Sequence, residues 1–166
     1  MSKSELRTDE GFEAFYNRHW QYLYRLCFTY MKSQADAEDC AEDVFVKVLN
    51  GDTEFNDETH ERKWLTVTAV NLCKDKLKSK WRRDVGSLDD EPEAAADEAE
   101  DYSDVLTAVI NLPTKYKDVI LMYYYDGYST DEIAAMLNSP PSTIRNQLKD
   151  ARNRLKKELG GEYGDR

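Results

Sequence analysis

The stretch Ser129-Thr130-Asp131-Glu132-Ile133-Ala134-Ala135-Met136-Leu137-Asn138-Ser139-Pro140-Pro141-Ser142-Thr143-Ile144-Arg145 decides how the chain is read. Ser129 and Glu132 stand three residues apart, the spacing of a capping box in which each side chain satisfies a free amide at a helix N-terminus. Ile133, Ala134 and Leu137 then form the inward stripe of a short helix, and Asn138 suits the left-handed turn that ends it. Ser139 is the expected N-cap of a second helix, with Pro140 at its first position, where no donor is lost. Ile144, Leu148, Ala151 and Leu155 follow at spacings of four, three and four and must face a core. The pattern is a helix-turn-helix whose second helix starts near Ser142. Its outer surface is left to Thr143, Arg145, Asn146, Lys149, Arg152 and Asn153. Arg and Asn match guanine and adenine edges in a major groove, while Lys149 and Arg152 suit phosphates equally well. Capping and periodicity specify a fold and not a ligand, so a plain helical hairpin stays open at this point.

Upstream of this hairpin, Val105–Leu112 reads as a short helix stopped at Pro113, and Tyr116–Tyr125 as another ending at Gly127 as its C-cap. Before these lies a segment of a different kind. Residues 84–104 hold ten acids and no Lys or Arg, together with Gly, Pro and an alanine run. The flanking parts are nearly neutral: residues 1–83 hold 14 basic and 15 acidic side chains, residues 105–166 hold 9 and 8. The net charge of −10 therefore belongs to one segment, which reads as a flexible acidic linker between two small domains, 1–83 and 105–166.

The first domain reads as three helices. Phe12, Phe15, Tyr16, Trp20, Leu23, Leu26, Cys27, Tyr30 and Met31 recur at helical spacing, and Ser33 through Asp36 resembles a helix start with an acidic first turn. The second helix runs to about Leu49 with Ala37, Ala41, Val44, Phe45 and Val48 inward and Glu38, Asp39, Glu42 and Asp43 outward. Residues Asn50–Thr59 are polar and turn-rich, hence a loop. A third helix, His60 to about Arg83, is expected to bury Trp64, Leu65, Thr68, Ala69, Leu72 and Leu77. From Lys74 to Arg83 it carries six basic residues against Asp75 alone. Residues two apart on a helix point about 200° apart, so this charge is expected to cover most of the exposed surface without pairing locally. Such a surface is either a solvated helix end whose cations suit the C-terminal dipole, or a phosphate-binding face.

Composition excludes other classes. With 56 charged residues in 166 and no run of about 18 apolar residues, no membrane insertion is expected. The first twelve residues lack an apolar signal core, so a cytoplasmic location is expected. Cys27, Cys40 and Cys73 show no C-x-x-C spacing and sit in apolar helical patterns, so they read as buried thiols, with no metal and no cofactor expected. A catalytic reading needs clustered groups, and His19 and His60 lie in different elements with no evident metal or nucleophile partner.

Taken together, the motifs resemble the extracytoplasmic-function group of bacterial sigma-70 factors across about residues 9–160. They are Phe15-Tyr16-x-Arg18-His19 with Leu23-Tyr24-Arg25-Leu26; Asp36-Ala37-Glu38-Asp39 with Asp43-Val44-Phe45-x-Lys47; Trp64-Leu65, Ala69, Asn71-Leu72 and Asp75; and Leu112-Pro113, Gly127-Tyr128-Ser129, Glu132-Ile133-Ala134, Leu137, Thr143-Ile144 and Ala151-Arg152. The resemblance implies an all-α, non-catalytic subunit that binds RNA polymerase core and directs it to promoters. It implies that Asp39, Glu42, Asp43 and Phe45 dock on the clamp helices of the largest catalytic subunit. It further implies that the loop 50–59 with Asn71, Lys74, Asp75 and Lys78 takes the melted −10 strand. Ser142, Thr143, Arg145, Asn146, Lys149 and Arg152 would read the −35 duplex. The flap of the second-largest subunit and an anti-sigma factor are the other partners it implies.

The chain departs from the family pattern at Glu42, where glutamine is usual, and at Val67, where a basic residue is common. It departs again at Ser142, Asn146 and Gln147, and at Asp150, where arginine is common and an acid faces phosphate unfavourably. These bear on −35 preference more than on fold. A free-standing helix-turn-helix regulator is the alternative from the binding-module class; it leaves the acidic helix, polar loop and basic helix of the first domain without a role. A recombinase or nuclease with a helix-turn-helix tail is the alternative from the enzyme class.

Overall fold

The computed structural model describes residues 2–84 and 104–160, and among these every regular element is helical. The chain divides into two compact units, Met1–Glu98 and Ala99–Arg166. Of the expected acidic linker, residues 85–103 lie outside the described residues.

The N-terminal unit consists of α1 (Lys3–Leu6), α2 (Asp9–Met31), α3 (Gln34–Asn50) and α4 (Glu58–Asp84). Each start is fixed by a polar side chain. Ser2 and Glu5 form a capping box on α1, Thr8 accepts from the Gly11 amide, and Ser33 accepts from the Asp36 amide. Gly11 is required, because a Cβ there would stand 1.9 Å from the Glu5 carbonyl oxygen, where α1 folds back on α2. Lys32 ends α2 in the left-handed region, φ 57°, its amide donating to the Phe28 carbonyl.

Helices α2, α3 and α4 pack around Phe15, Leu23, Val44, Leu65, Val70 and Thr66. The face that α4 turns inward differs from the expected one. Glu61, Leu65, Thr66, Ala69, Val70 and Cys73 are buried, whereas Trp64, Thr68, Leu72 and Leu77 are half-buried on its flanks. Trp64 is drawn aside by a partner that local periodicity does not reveal, the ring of Phe55, 5.7 Å away centroid to centroid. Phe55 is the buried anchor of the loop 51–57, stacked on Phe15 at 5.7 Å and 16°. That loop is shorter than expected at both ends: α3 includes Asn50, and α4 begins at Glu58, where Asp57 Oδ1 accepts from the His60 amide.

The C-terminal unit holds α5 (Asp104–Ile110), α6 (Thr114–Ile120), a π-helical turn (Leu121–Tyr125), α7 (Thr130–Leu137) and α8 (Pro141–Glu158). The single helix expected over Tyr116–Tyr125 therefore widens half-way. The Asp126 amide reaches back five residues to the Leu121 carbonyl, leaving Tyr123, Tyr124 and Tyr125 exposed. Gly127 follows at φ 77°, a conformation that favours glycine.

The helix-turn-helix has the expected capping box: the Glu132 amide donates to Ser129 Oγ at 3.1 Å and the Ser129 amide to Glu132 Oε1 at 3.2 Å. Asn138 closes α7 at φ 55°, and the Ser139 amide donates to the Ala134 carbonyl, the six-to-one bond of a Schellman turn. The expected N-cap of α8 shifts by one residue. Pro140 occupies that position and Pro141 the first helical one, while the Ser139 hydroxyl turns back toward the Leu137 carbonyl. Ile144, Leu148 and Ala151 are buried as expected, and Leu155 is half-buried.

Candidate nucleic-acid and partner-binding surfaces

Three surfaces carry the sequence-derived site residues. On α3, the buried Cys40, Ala41, Val44 and Val48 fix the rotation of the helix, so that Glu38, Asp39, Glu42 and Asp43 are exposed. Phe45 does not belong with them. It is only 2% exposed and lies within rings of α2: Tyr16 at 4.6 Å, Phe15 at 6.1 Å, Phe12 at 6.2 Å and Trp20 at 6.3 Å. The expectation that Phe45 touches a partner is therefore corrected: it braces α3 from beneath. The apolar area on the exposed face comes from Val46, 50% exposed, and Leu49, 37%. Sequence reading passed over both, although they fall at helical spacing from Asp39 and Glu42. Burial, followed by the charges of Glu42 and Glu38, pushes the Tyr16 phenol above its usual pKa.

On α4, Asn71, Lys74, Asp75 and Lys78 fall at i, i+3, i+4 and i+7 and so form one longitudinal stripe. The helix does not carry its charge unpaired all round, as expected from sequence. Lys76 Nζ meets Asp43 Oδ2 at 2.5 Å and Lys80 Nζ meets Asp36 Oδ2 at 3.6 Å, both acids of α3. Burial pulls Lys76 down, but its bond to Asp43 outweighs this and leaves the ammonium above its usual pKa. The stripe and the paired lysines thus occupy different sides of one helix. Beside the stripe's helix, the loop keeps Asp52, Glu54, Asn56 and Asp57 exposed, with Lys3 bonded to Asp52.

A further group escaped sequence analysis. Glu61, whose side chain is 3% exposed, accepts from Arg18 Nη2 at 2.6 Å and bonds His19 Nε2 at 2.8 Å. Burial raises the Glu61 pKa, but the bonds from Arg18 and His19 prevail and hold it below the usual carboxylate value. This group ties α2 to α4. The signal for it was present: Glu61 stands four residues before Leu65 and eight before Ala69, in phase with the buried stripe. His19 is thus structural, and His60, whose Nδ1 accepts from the Asn56 amide, shapes the loop.

On α8, Ser142, Arg145, Asn146 and Lys149 are exposed on the side opposite Ile144, Leu148 and Ala151; Thr143 is half-buried at its edge. Arg152 is exposed but engaged. Its Nε donates to the Tyr124 hydroxyl at 2.6 Å, and its guanidinium lies 5.5 Å and 5.7 Å from the Tyr124 and Tyr123 ring centres. Asp150 is exposed next to Lys149.

The family described as Sigma-70 region 2 matches residues 15–83, and that described as Sigma-70, region 4 matches residues 102–155. The RNA polymerase sigma factor SigV of Bacillus subtilis is 30% identical over 135 residues, covering 78% of this chain and 80% of that protein. The chain belongs to the extracytoplasmic-function group of the sigma-70 family. The ECF RNA polymerase sigma factor SigM of Mycobacterium tuberculosis is 26% identical over 152 residues, covering 90% of this chain and 78% of SigM. Among solved structures, the sigma factor RpoE of Bartonella quintana, in complex with the anti-sigma factor NepR, shares the fold at a TM-score of 0.69 and 20% identity. The match covers 91% of this chain and 98% of that one.

Extracytoplasmic-function sigma factors are transcription initiation factors, not enzymes, and they direct RNA polymerase core to promoter DNA. A free-standing regulator does not account for a chain that matches both regions. No helix among the described residues is long and apolar enough to cross a membrane.

Proposed function

We propose that this sigma factor divides promoter recognition between its units along the boundaries read from its charge, 1–83, 84–104 and 105–166. The exposed Asp39, Glu42 and Asp43, with Val46 and Leu49, dock α3 on the clamp helices of the largest polymerase subunit. Asn71, Lys74, Asp75 and Lys78, with the loop 51–57, take the unstacked −10 strand. There the polar groups pair with flipped base edges and the lysines hold the backbone. Helix α8 reads the −35 duplex through Ser142, Arg145, Asn146 and Lys149, with Thr143 and Arg152 at the edges of that face, while the same unit engages the flap of the second-largest subunit.

The observation that carries this reading is α8 itself. Its buried residues fix a rotation that leaves one donor-rich stripe exposed along a helix started by Pro141, the form in which a recognition helix enters a major groove. An anti-sigma factor as inhibitory partner is supported by the fold shared with a sigma factor solved in such a complex. Work beside polymerase core places the protein in the cytoplasm.

Run-off transcription with purified core polymerase tests the assignment. Arg145→Ala should lower output from a promoter with an intact upstream element by the roughly 1–3 kcal/mol of one base contact. It should have little effect where that element is already scrambled. Equal loss on both templates overturns Arg145 as a −35 reader.

A further inference from the structure

Cys27, Cys40 and Cys73 lie far apart in sequence, one on each of α2, α3 and α4, yet the bundle brings their sulfurs together. All three Sγ atoms lie within 4.8 Å of one another, with Cys40 and Cys73 at 2.9 Å, and each residue is fully buried. Among the described residues no His, Asp or Glu joins this cluster. We propose that the three thiols form a binding site for one soft, monovalent d10 cation of the Cu(I) class.

Donor chemistry and geometry select that class. Hard cations such as Mg2+ and Ca2+ need oxygen ligands, which the cluster lacks. Structural zinc sites close with a fourth protein ligand, which the cluster lacks among the described residues, and open ones keep an accessible position for water, whereas all three thiols here are fully buried. Thiolate sulfur favours Cu(I), an ion content with two or three ligands. Metal–sulfur bonds of about 2.3 Å around a shared centre set the sulfurs roughly 4 Å apart, so the helices need move little. The three donors sit on packed helices and not on loops, so the site is organised before the ion arrives.

On binding, each ligating thiol gives its S–H bonding electron pair to the ion and its proton to solvent, and no electron changes hands. The charge that builds up is opposed by Lys76, whose field reaches both Cys27 and Cys40, while Asp43 acts against it at Cys40. Affinity should therefore rise with pH as the thiols release their protons.

The test is an anaerobic Cu(I) titration of the full chain in competition with a chromophoric Cu(I) chelator, with Zn(II) titrated alongside. The expected result is one Cu(I) per chain, a thiolate-to-copper charge-transfer band in the near ultraviolet, and a raised melting temperature. Cys27→Ala, Cys40→Ala and Cys73→Ala should each weaken binding by more than the roughly 10–100-fold that loss of a supporting, non-ligating group costs. X-ray absorption on the unaltered chain needs no variant to fold and should show a sulfur-only shell. Undiminished binding by the triple alanine variant, oxygen or nitrogen neighbours in that shell, or tighter Zn(II) than Cu(I) binding would each overturn the assignment.

Discussion

Replacing Glu61 by glutamine tests the buried tie between α2 and α4. The carboxylate is almost sealed from solvent and holds Arg18 at 2.6 Å and His19 at 2.8 Å. A hydrogen bond to a charged group contributes roughly 1.5–3 kcal/mol, and breaking a fully buried ion pair costs roughly 3–5 kcal/mol. Two features place this case below the buried-pair range. Arg18 keeps 29% of its side chain in solvent and can rehydrate, and glutamine retains one acceptor oxygen. The expected loss is about 2 kcal/mol from the N-terminal unit.

The chain supplies its own reporter, because Trp20, Trp64 and Trp81 all lie in that unit. Denaturant melts followed by tryptophan emission should show a lower midpoint at unchanged slope. The folded pKa of Glu61 lies below the ordinary value of 4.5, so its stabilisation is complete above about pH 4.5 and is lost as pH falls through the folded value. The gap between wild type and E61Q should therefore close on acidification. A loss under about 0.5 kcal/mol at neutral pH, the range of ordinary surface changes, would refute the reasoning. So would a gap that stays constant through the acid range.

Two further outcomes concern α3. The double reversal Asp39→Lys with Glu42→Lys should weaken core-polymerase binding about tenfold or more at low salt and less at high salt, with the melting profile kept; unchanged affinity removes this face from docking. Asp43 is left out because its bond to Lys76 would confound the result. Phe45→Ala should cost the N-terminal unit about 3–5 kcal/mol, whereas Val46→Ser should stay within about 0.5 kcal/mol and act on core affinity alone. Wild-type stability in the Phe45 variant would mean that the ring cage is not what holds α3.

The parts legible in the sequence were those set by local rules. The α7–α8 hairpin follows from a capping box, a left-handed asparagine and a proline pair, and even there two adjacent prolines let the helix start slip by one residue. The parts that were hidden depend on contacts distant in the chain. Trp64 looked like core until Phe55, in a loop that reads as polar, took its ring. Lys76 and Lys80 looked unpaired because their acids, Asp43 and Asp36, belong to another helix. Phe45 fitted both an inward stripe and a docking motif, and only the rings around it decide between them. The thiols of Cys27, Cys40 and Cys73 share no short spacing, so their meeting is a property of the bundle and not of any segment.

Phe15 touches both the ring of Phe55, which seats the loop, and that of Phe45, which seats α3. The loop is thus pinned by one residue that faces inward while Asp52, Glu54 and Asn56 face out. Substitutions at those outward letters leave both ring contacts of Phe15 intact, so the surface of the loop can change without unseating α3. One aromatic keystone separates what must stay constant from what is free to drift.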